Sequence, residues 1–314
     1  MSALGGHFWT LRPFVASKIN PPKPPPSRLF RTSVTTAGGA RVPVTGRVSG
    51  PQEARTLLVV VHGLGGSASS PYALEASAEA AARGYACLRL NMRGADRSGA
   101  GIYHAGLYDE IRASLDDEVF SRIERIFLLG YSMGGHTSLR YAALDPHPKL
   151  RALTTVCAPI DLEAGCKEID REERRLYRMH VLAGLKEIYA ATHRKRPVPA
   201  SLEDVLRIEK LRDWDALVVA EEFGFESPED YWRKVGAGPL LPKIEVPTMV
   251  VATKHDPMVL SHTVEPALSA AKNLYNVWLT RGGHVGFPPS VDLGLGSRGS
   301  LESQAIQWME THDG

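Results

Sequence analysis

The stretch FLLGYSMGGHTSLRYA, residues Phe127–Ala142, runs from an apolar strand-like segment through a knot of small residues into a helical pattern. Ser132 sits in the knot, with Gly130 two positions before it and Gly134 two positions after. Gly-X-Ser-X-Gly between a strand and a helix makes a turn so tight that side chains two residues either side of the serine would collide, which accounts for both glycines. The turn lifts the Ser132 hydroxyl off the sheet. The helix that begins there points its N-terminal dipole and the Met133 amide at any negative charge that develops. This junction reads as the position of a nucleophile on an α/β scaffold.

The rest of the chain supplies that scaffold. TLLVVVHG from Thr56, YACLRLNMRG from Tyr85, RIFLLGYS from Arg125, RALTTVCAP from Arg151, VPTMVVAT from Val246 and NVWLTRGG from Asn276 read as buried strands. Between them lie helical patterns: SPYALEASAEAAARG, with Ser70 as N-cap, Pro71 in the first turn and Gly84 as stop; DEIRASLDDEVFSRI from Asp109; and MGGHTSLRYAALD from Met133. SLESQAIQWMETH closes the chain. Such alternation predicts a mostly parallel central sheet with helices on both faces.

Between Pro159 and Pro247 the rhythm changes to polar and helical. Leu176, Met179, Leu182, Leu185 and Tyr189 mark one apolar helix face, and Ser201 with Asp204 and Ser227 with Pro228 and Asp230 mark helix starts. The block reads as a helical cap over the C-terminal edge of the strands, where open α/β sheets bind ligands. The expected organisation is an N-terminal arm with a proline-rich linker over 1–28, core over 29–159, helical cap over 160–243, and core again over 244–314. The linker INPPKPPPSR is read as extended.

A serine hydroxyl needs a base, and the base an orienting acid. His284, in TRGGHVGF, falls just past the last strand, and Asp256, in VVATKHDPMV, just past the one before. The chain order Ser132, Asp256, His284 is the order this kind of scaffold requires. Asp161 is the alternative acid. In VVVHGLGG, glycines after a buried strand let backbone approach a ligand, so the Leu64 amide is expected to join that of Met133 as an oxyanion hole. His7, His62, His104, His136 and His255 are read as structural, and Arg93 as tying down a loop.

Lys plus Arg number 37 against 35 Asp plus Glu, a net charge of +2 that does not suggest nucleic-acid binding. Cys87, Cys157 and Cys166 show no metal spacing, and no P-loop or dinucleotide fingerprint is present, so no cofactor or metal is implied. Few, scattered cysteines and the lack of a signal peptide or long apolar run point to the cytoplasm. Phe8, Trp9 and Phe14 could serve as a membrane-surface contact; an arm packed on its own domain is the expected arrangement. The runs DREERRLYR and HRKRP are read as solvated helix faces rather than anion sites. The oligomeric state is open.

With these residues in place, GHFWTL, HGLGGSASSPY, LNMRG, YHAG, GYSMGGH, CAPIDL, EEFGFESPEDYW, IEVPTMVVATKHDPMV and GGHVGF together resemble the YheT-like, embryogenesis-associated type of α/β-hydrolase. The resemblance spans nearly the whole chain. It implies the α/β-hydrolase fold, with the nucleophile on Ser132, the acid on Asp256 and the base on His284. The implied activity is cofactor-free hydrolysis of short- to medium-chain acyl or lipid esters as a serine carboxylesterase on a small-molecule ester substrate. Acyl transfer to an alcohol with the same triad and a silent binding protein on the same fold are the alternatives. The chain departs from the family pattern at His136, where Asn is common, at His255, where Asp is common, and in TAGGARVPVTG.

Overall fold

The computed structural model describes residues 3–19, 23–36 and 38–312; in the first helix the side chains at 3, 14, 17 and 18 lie outside that description. Its centre is an eight-stranded sheet in the order β1-β2-β4-β3-β5-β6-β7-β8. The strands are β1 (Ser27–Thr35), β2 (Arg41–Ser49), β3 (Thr56–Val61), β4 (Ala86–Asn91), β5 (Arg125–Tyr131), β6 (Leu150–Val156), β7 (Thr248–Thr253) and β8 (Tyr275–Leu279). The β1–β2 and β2–β4 pairs are antiparallel, and all pairs from β4 to β8 are parallel.

Every residue of β3, β4 and β7 is buried, which is why β3 and most of β7 read as continuous apolar runs, while β4 also buries Arg89 and Asn91. Alternate side chains feed opposite faces. Leu57, Val59, Val61 and Leu128 join one core, and Leu58, Val60, Phe127 and Leu129 join the other.

The helices are α1 (Ala3–Ile19), α2 (Pro71–Ala82), α3 (Asp109–Leu115), α4 (Met133–Leu144), α5 (Leu162–Ile169), α6 (Arg175–His193), α7 (Leu202–Arg207), α8 (Leu211–Trp214), α9 (Glu221–Phe223), α10 (Pro228–Val235), α11 (Ser261–Ala270) and α12 (Leu301–Glu310). Ala76 of α2 and Ile306 of α12 fill the second core, and Ile111 of α3, Leu139 of α4 and Leu268 of α11 fill the first, so helices cover both faces.

The segment between β6 and β7 is built of helices joined by loops and contains no strand, with a π-helical stretch over Asp215–Ala220. It has its own apolar core, built from residues such as Leu182, Leu185, Trp214 and Trp232, and that core rests on Leu64, Met133 and Met258 at the ends of three sheet strands. Ser201 and Ser227 accept the N–H groups of Asp204 and Asp230 and start α7 and α10 as their sequence implies.

Several sequence expectations are corrected. The arm is helical over Ala3–Ile19 and does pack on the body, but only with one face. Asn20–Pro22 of the linker lie outside the described residues, while Lys23–Pro26 form no regular element. The edge hairpin β1–β2 and helix α11 are additions. The helix expected from Asp109 to Ile123 stops at Leu115, because Asp117 turns its carboxylate to the Val119 N–H and starts a separate 3₁₀ turn. Leu176 is 80% exposed, whereas Arg178 on the same helix is buried. The Arg178 guanidinium donates to the carbonyls of Glu209, Ile169 and Arg171, which satisfies the charge where an aliphatic residue was expected.

Candidate active site

The junction after β5 has the geometry its sequence requires. Ser132 takes φ 51 and ψ −123, a left-handed conformation costly for a residue with a side chain. A Cβ at Gly130 would sit 2.7 Å from the Gly134 carbonyl oxygen and from Gly135 Cα. A Cβ at Gly134 would run into the Val61 and His62 carbonyls at the end of β3. The second glycine is therefore required by the neighbouring strand as much as by the turn itself. The Ser132 N–H donates to Val156 O at 2.8 Å, which anchors the turn to β6.

The loops after β7 and β8 bring the two expected partners to this hydroxyl. His284 Nε2 lies 2.8 Å from Ser132 Oγ, and His284 Nδ1 lies 2.8 Å from Asp256 Oδ2. A carboxylate oxygen only accepts, so Nδ1 carries the proton and Nε2 is free to receive one from the hydroxyl. The other Asp256 oxygen accepts the N–H groups of Met258 at 2.8 Å and Val259 at 3.0 Å, which fixes the plane of the carboxylate. Asp256 and His284 are buried, and Ser132 is partly open. The alternative acid, Asp161, is elsewhere employed: it caps α5 by accepting the Ala164 N–H.

Gly63 packs directly on Ser132: a Cβ there would lie 3.0 Å from Ser132 Cβ. The loop Gly63–Leu64–Gly65 is held by two tyrosines. Gly63 N–H donates to the Tyr72 hydroxyl at 2.9 Å and Gly65 N–H to the Tyr103 hydroxyl at 2.8 Å. His62 donates from Nδ1 to Gly63 O and accepts the Met92 N–H at Nε2; burial pushes its pKa down to about 4, in keeping with that neutral tautomer. Arg97 donates to Gly65 O at 3.1 Å. The peptide groups on both sides of the Leu64 amide are thereby pinned. The helical segment reaches the same loop, since a Cβ on Gly184 of α6 would stand 2.6 Å from Gly65 O.

Sequence reasoning did not find Tyr72, Tyr103 or Thr10. Thr10 Oγ1, on α1, accepts the backbone N–H of His284 at 2.9 Å and donates to Gly6 O at 2.8 Å. Only the glycine-rich run around His284 hints at such a close approach. Among the other histidines, His136 sets its two ring nitrogens against Pro159 O and Val235 O, tying α4 to both ends of the helical segment, and His7 Nδ1 meets the Tyr177 hydroxyl at 2.5 Å. Arg93 is ion-paired with buried Glu110 inside the fold, the loop-tying role expected of it.

Cys157 Sγ, Asp256 and His284 offer ligand atoms within 4.8 Å of one another. The acid and the base already face each other. Burial, with Asp256 beside it, pushes the Cys157 thiol well above its usual range, so it stands as a thiol and not as the thiolate a metal would take. Cys87 and Cys166 are likewise buried and free. In the basic runs of the helical segment Arg171 and Arg174 pair with Glu168, Arg178 with Glu172 and Arg196 with Glu222.

Residues 56–177 match the family model of the alpha/beta hydrolase fold. The chain is 30% identical to the putative esterase YheT of Escherichia coli over 81% of its own length and 76% of that protein's. It is 22% identical to the human phospholipase ABHD3 over 88% of its length and 69% of that protein's. Among solved structures, the Pyrococcus furiosus esterase Pf2001 superposes with a TM-score of 0.56 at 14% identity, covering 93% of this chain and 98% of that one. The fold, the order of the strands and this kinship agree: the chain belongs to the α/β-hydrolase family, in the company of the YheT-type esterases.

Proposed function

We propose that the chain is a serine carboxylesterase that hydrolyses short- to medium-chain acyl or lipid esters through an acyl-enzyme. The observation that carries this reading is the unbroken series Ser132 Oγ, His284, Asp256, with both contacts at 2.8 Å, at a serine held in a left-handed turn. Ser132 attacks the ester carbonyl while His284 Nε2 takes its proton. Asp256 orients the imidazole and stabilises its cationic form. The oxyanion is held by the Leu64 and Met133 amides, each worth about 3–4 kcal/mol in such a site. His284 then hands the proton to the leaving alcohol, and water repeats the cycle to release the acid.

Leu64, Met133 and Met258 make the floor of the helical segment apolar at the serine, which suits an acyl chain. The names of two relatives point the same way, a phospholipase and a monoacylglycerol lipase from yeast. Three buried free thiols suit a reducing, cytoplasmic setting. The test is hydrolysis of p-nitrophenyl esters from acetate to palmitate by the wild type and Ser132→Ala. Turnover that disappears in the variant supports the reading, and substantial activity retained by the variant rejects it.

A further inference from the structure

Helix α1 is packed inside out. Its small and polar side lies on the body. A Cβ on Gly6 would run into the His255 carbonyl, Thr10 holds the His284 amide, and Pro13 rests on Gly286. Its apolar side faces away. Leu4, Phe8, Leu11, Val15 and Ile19 are 79, 56, 46, 51 and 80% exposed. At 3.6 residues per turn, these five positions fall within an arc of about 80°. A contiguous apolar stripe of this kind marks an interaction site.

Charge decides the occupant. Of 37 basic and 35 acidic residues in the chain, seven basic ones and no acidic one precede Glu53. Arg12 lies over the Trp9 ring and near Glu75 of α2, and Lys23, just past the helix, is exposed, whereas Arg28 and Arg31 on β1 share a cleft with Asp117. A second copy docked through α1 about a two-fold axis would bring two helices together whose residues up to 23 include Arg12, Lys18 and Lys23 and no acidic residue. An anionic lipid surface instead takes both the apolar stripe and the positive charge.

We propose that α1 is an interfacial helix that seats the chain on an anionic phospholipid surface. The stripe enters the headgroup boundary, and the loop carrying His284 lies on the opposite side of the same helix, about 10 Å away. The five side chains would leave water together, and the basic segment would make the attachment sensitive to salt.

The test is sedimentation with phosphatidylcholine vesicles and with vesicles that also contain phosphatidylglycerol. It uses the full chain, its Ser132→Ala form, and a Phe8→Ser/Leu11→Ser variant of each. Wild type and Ser132→Ala are expected to pellet alike with the anionic vesicles, less at high salt and less with phosphatidylcholine alone. That equality separates attachment from the esterase reading, since it holds whether or not Ser132 is catalytic. The double serine variant is expected to partition at least about a hundredfold more weakly, with Phe8→Leu binding as wild type does and p-nitrophenyl acetate hydrolysis unchanged in both. Failure of the wild type to bind anionic vesicles, or equal binding by the double serine variant, overturns the proposal. A dimer by light scattering that the double substitution dissolves, without vesicle binding, overturns it in favour of a second copy.

Discussion

The backbone N–H of His284 donates to Thr10 Oγ1 at 2.9 Å across 274 residues of chain. The loop bearing the proposed base is thus held from outside the α/β core, by a helix at the other end of the sequence. Thr10→Val keeps the shape and removes the acceptor. The expected result is a fall in kcat of about tenfold with KM little changed, because small misplacements of a catalytic group are costly. Thr10→Ser should restore the rate. An unchanged kcat in Thr10→Val would show that the contact does not position the imidazole.

Tyr103 accepts the Gly65 N–H and Tyr72 the Gly63 N–H, so that Leu64 is gripped from both sides. Tyr103→Phe leaves one N–H without its acceptor, a loss of about 1–3 kcal/mol in stability. If the Leu64 amide serves the oxyanion, kcat should drop as well, by about tenfold or more. Thermal melting and steady-state kinetics read the two effects separately. A variant that melts lower but turns over normally would argue against Leu64 as an oxyanion donor.

Asp256→Asn and Asp161→Asn make a discriminating pair. Asp256 faces His284, while Asp161 caps α5. The first should reduce kcat by about four orders of magnitude, as expected when the imidazole loses its orienting carboxylate. The second should cost about 1 kcal/mol of stability or less and leave kcat in place. The reverse outcome would transfer the acid role to Asp161.

Burial, with Glu75 near it, pushes Glu302 from its ordinary value of 4.5 to about 7. The carboxyl takes a hydrogen bond from the hydroxyl of Tyr131, the residue before the proposed nucleophile. For an acid raised on folding, the native state binds more protons than the unfolded chain between these two values. Stability therefore falls as pH rises from about 4.5 to about 7 and stays lower above. Glu302→Gln should flatten that slope and raise the melting temperature at pH 8, by an amount equivalent to at most about 3 kcal/mol. Parallel melting curves for wild type and variant at pH 5 and pH 8, with no change in their separation, would contradict the assignment.

The elements that were legible in the sequence are those whose side chains are buried for simple reasons. β3, β4, β5, β6 and β7 are buried almost throughout and mostly apolar, and the elbow around Ser132 carries its glycines because backbone atoms crowd it. Asp256 and His284 were found because strand ends in a parallel sheet share one edge. What escaped detection has a different physics. α1 holds Gly5, Gly6 and Pro13 and shows its apolar residues to the outside, so periodicity could not reveal a packed helix. β1 and β2 form an arginine-bearing edge hairpin with half-exposed faces. Arg178 is buried by carbonyls from three separate turns, and the hydroxyls of Tyr72, Tyr103 and Thr10 meet backbone amides far along the chain, contacts that exist only once the fold is made.

The central claim is that Ser132 is an activated nucleophile. Its most direct test is labelling with a fluorophosphonate, followed by peptide mapping of the full chain, Ser132→Ala and His284→Ala. The account predicts a single adduct on the peptide that contains Ser132, absent in Ser132→Ala and strongly slowed in His284→Ala. A native, folded chain that takes no label, or takes it on another residue at the same rate in all three forms, would contradict it.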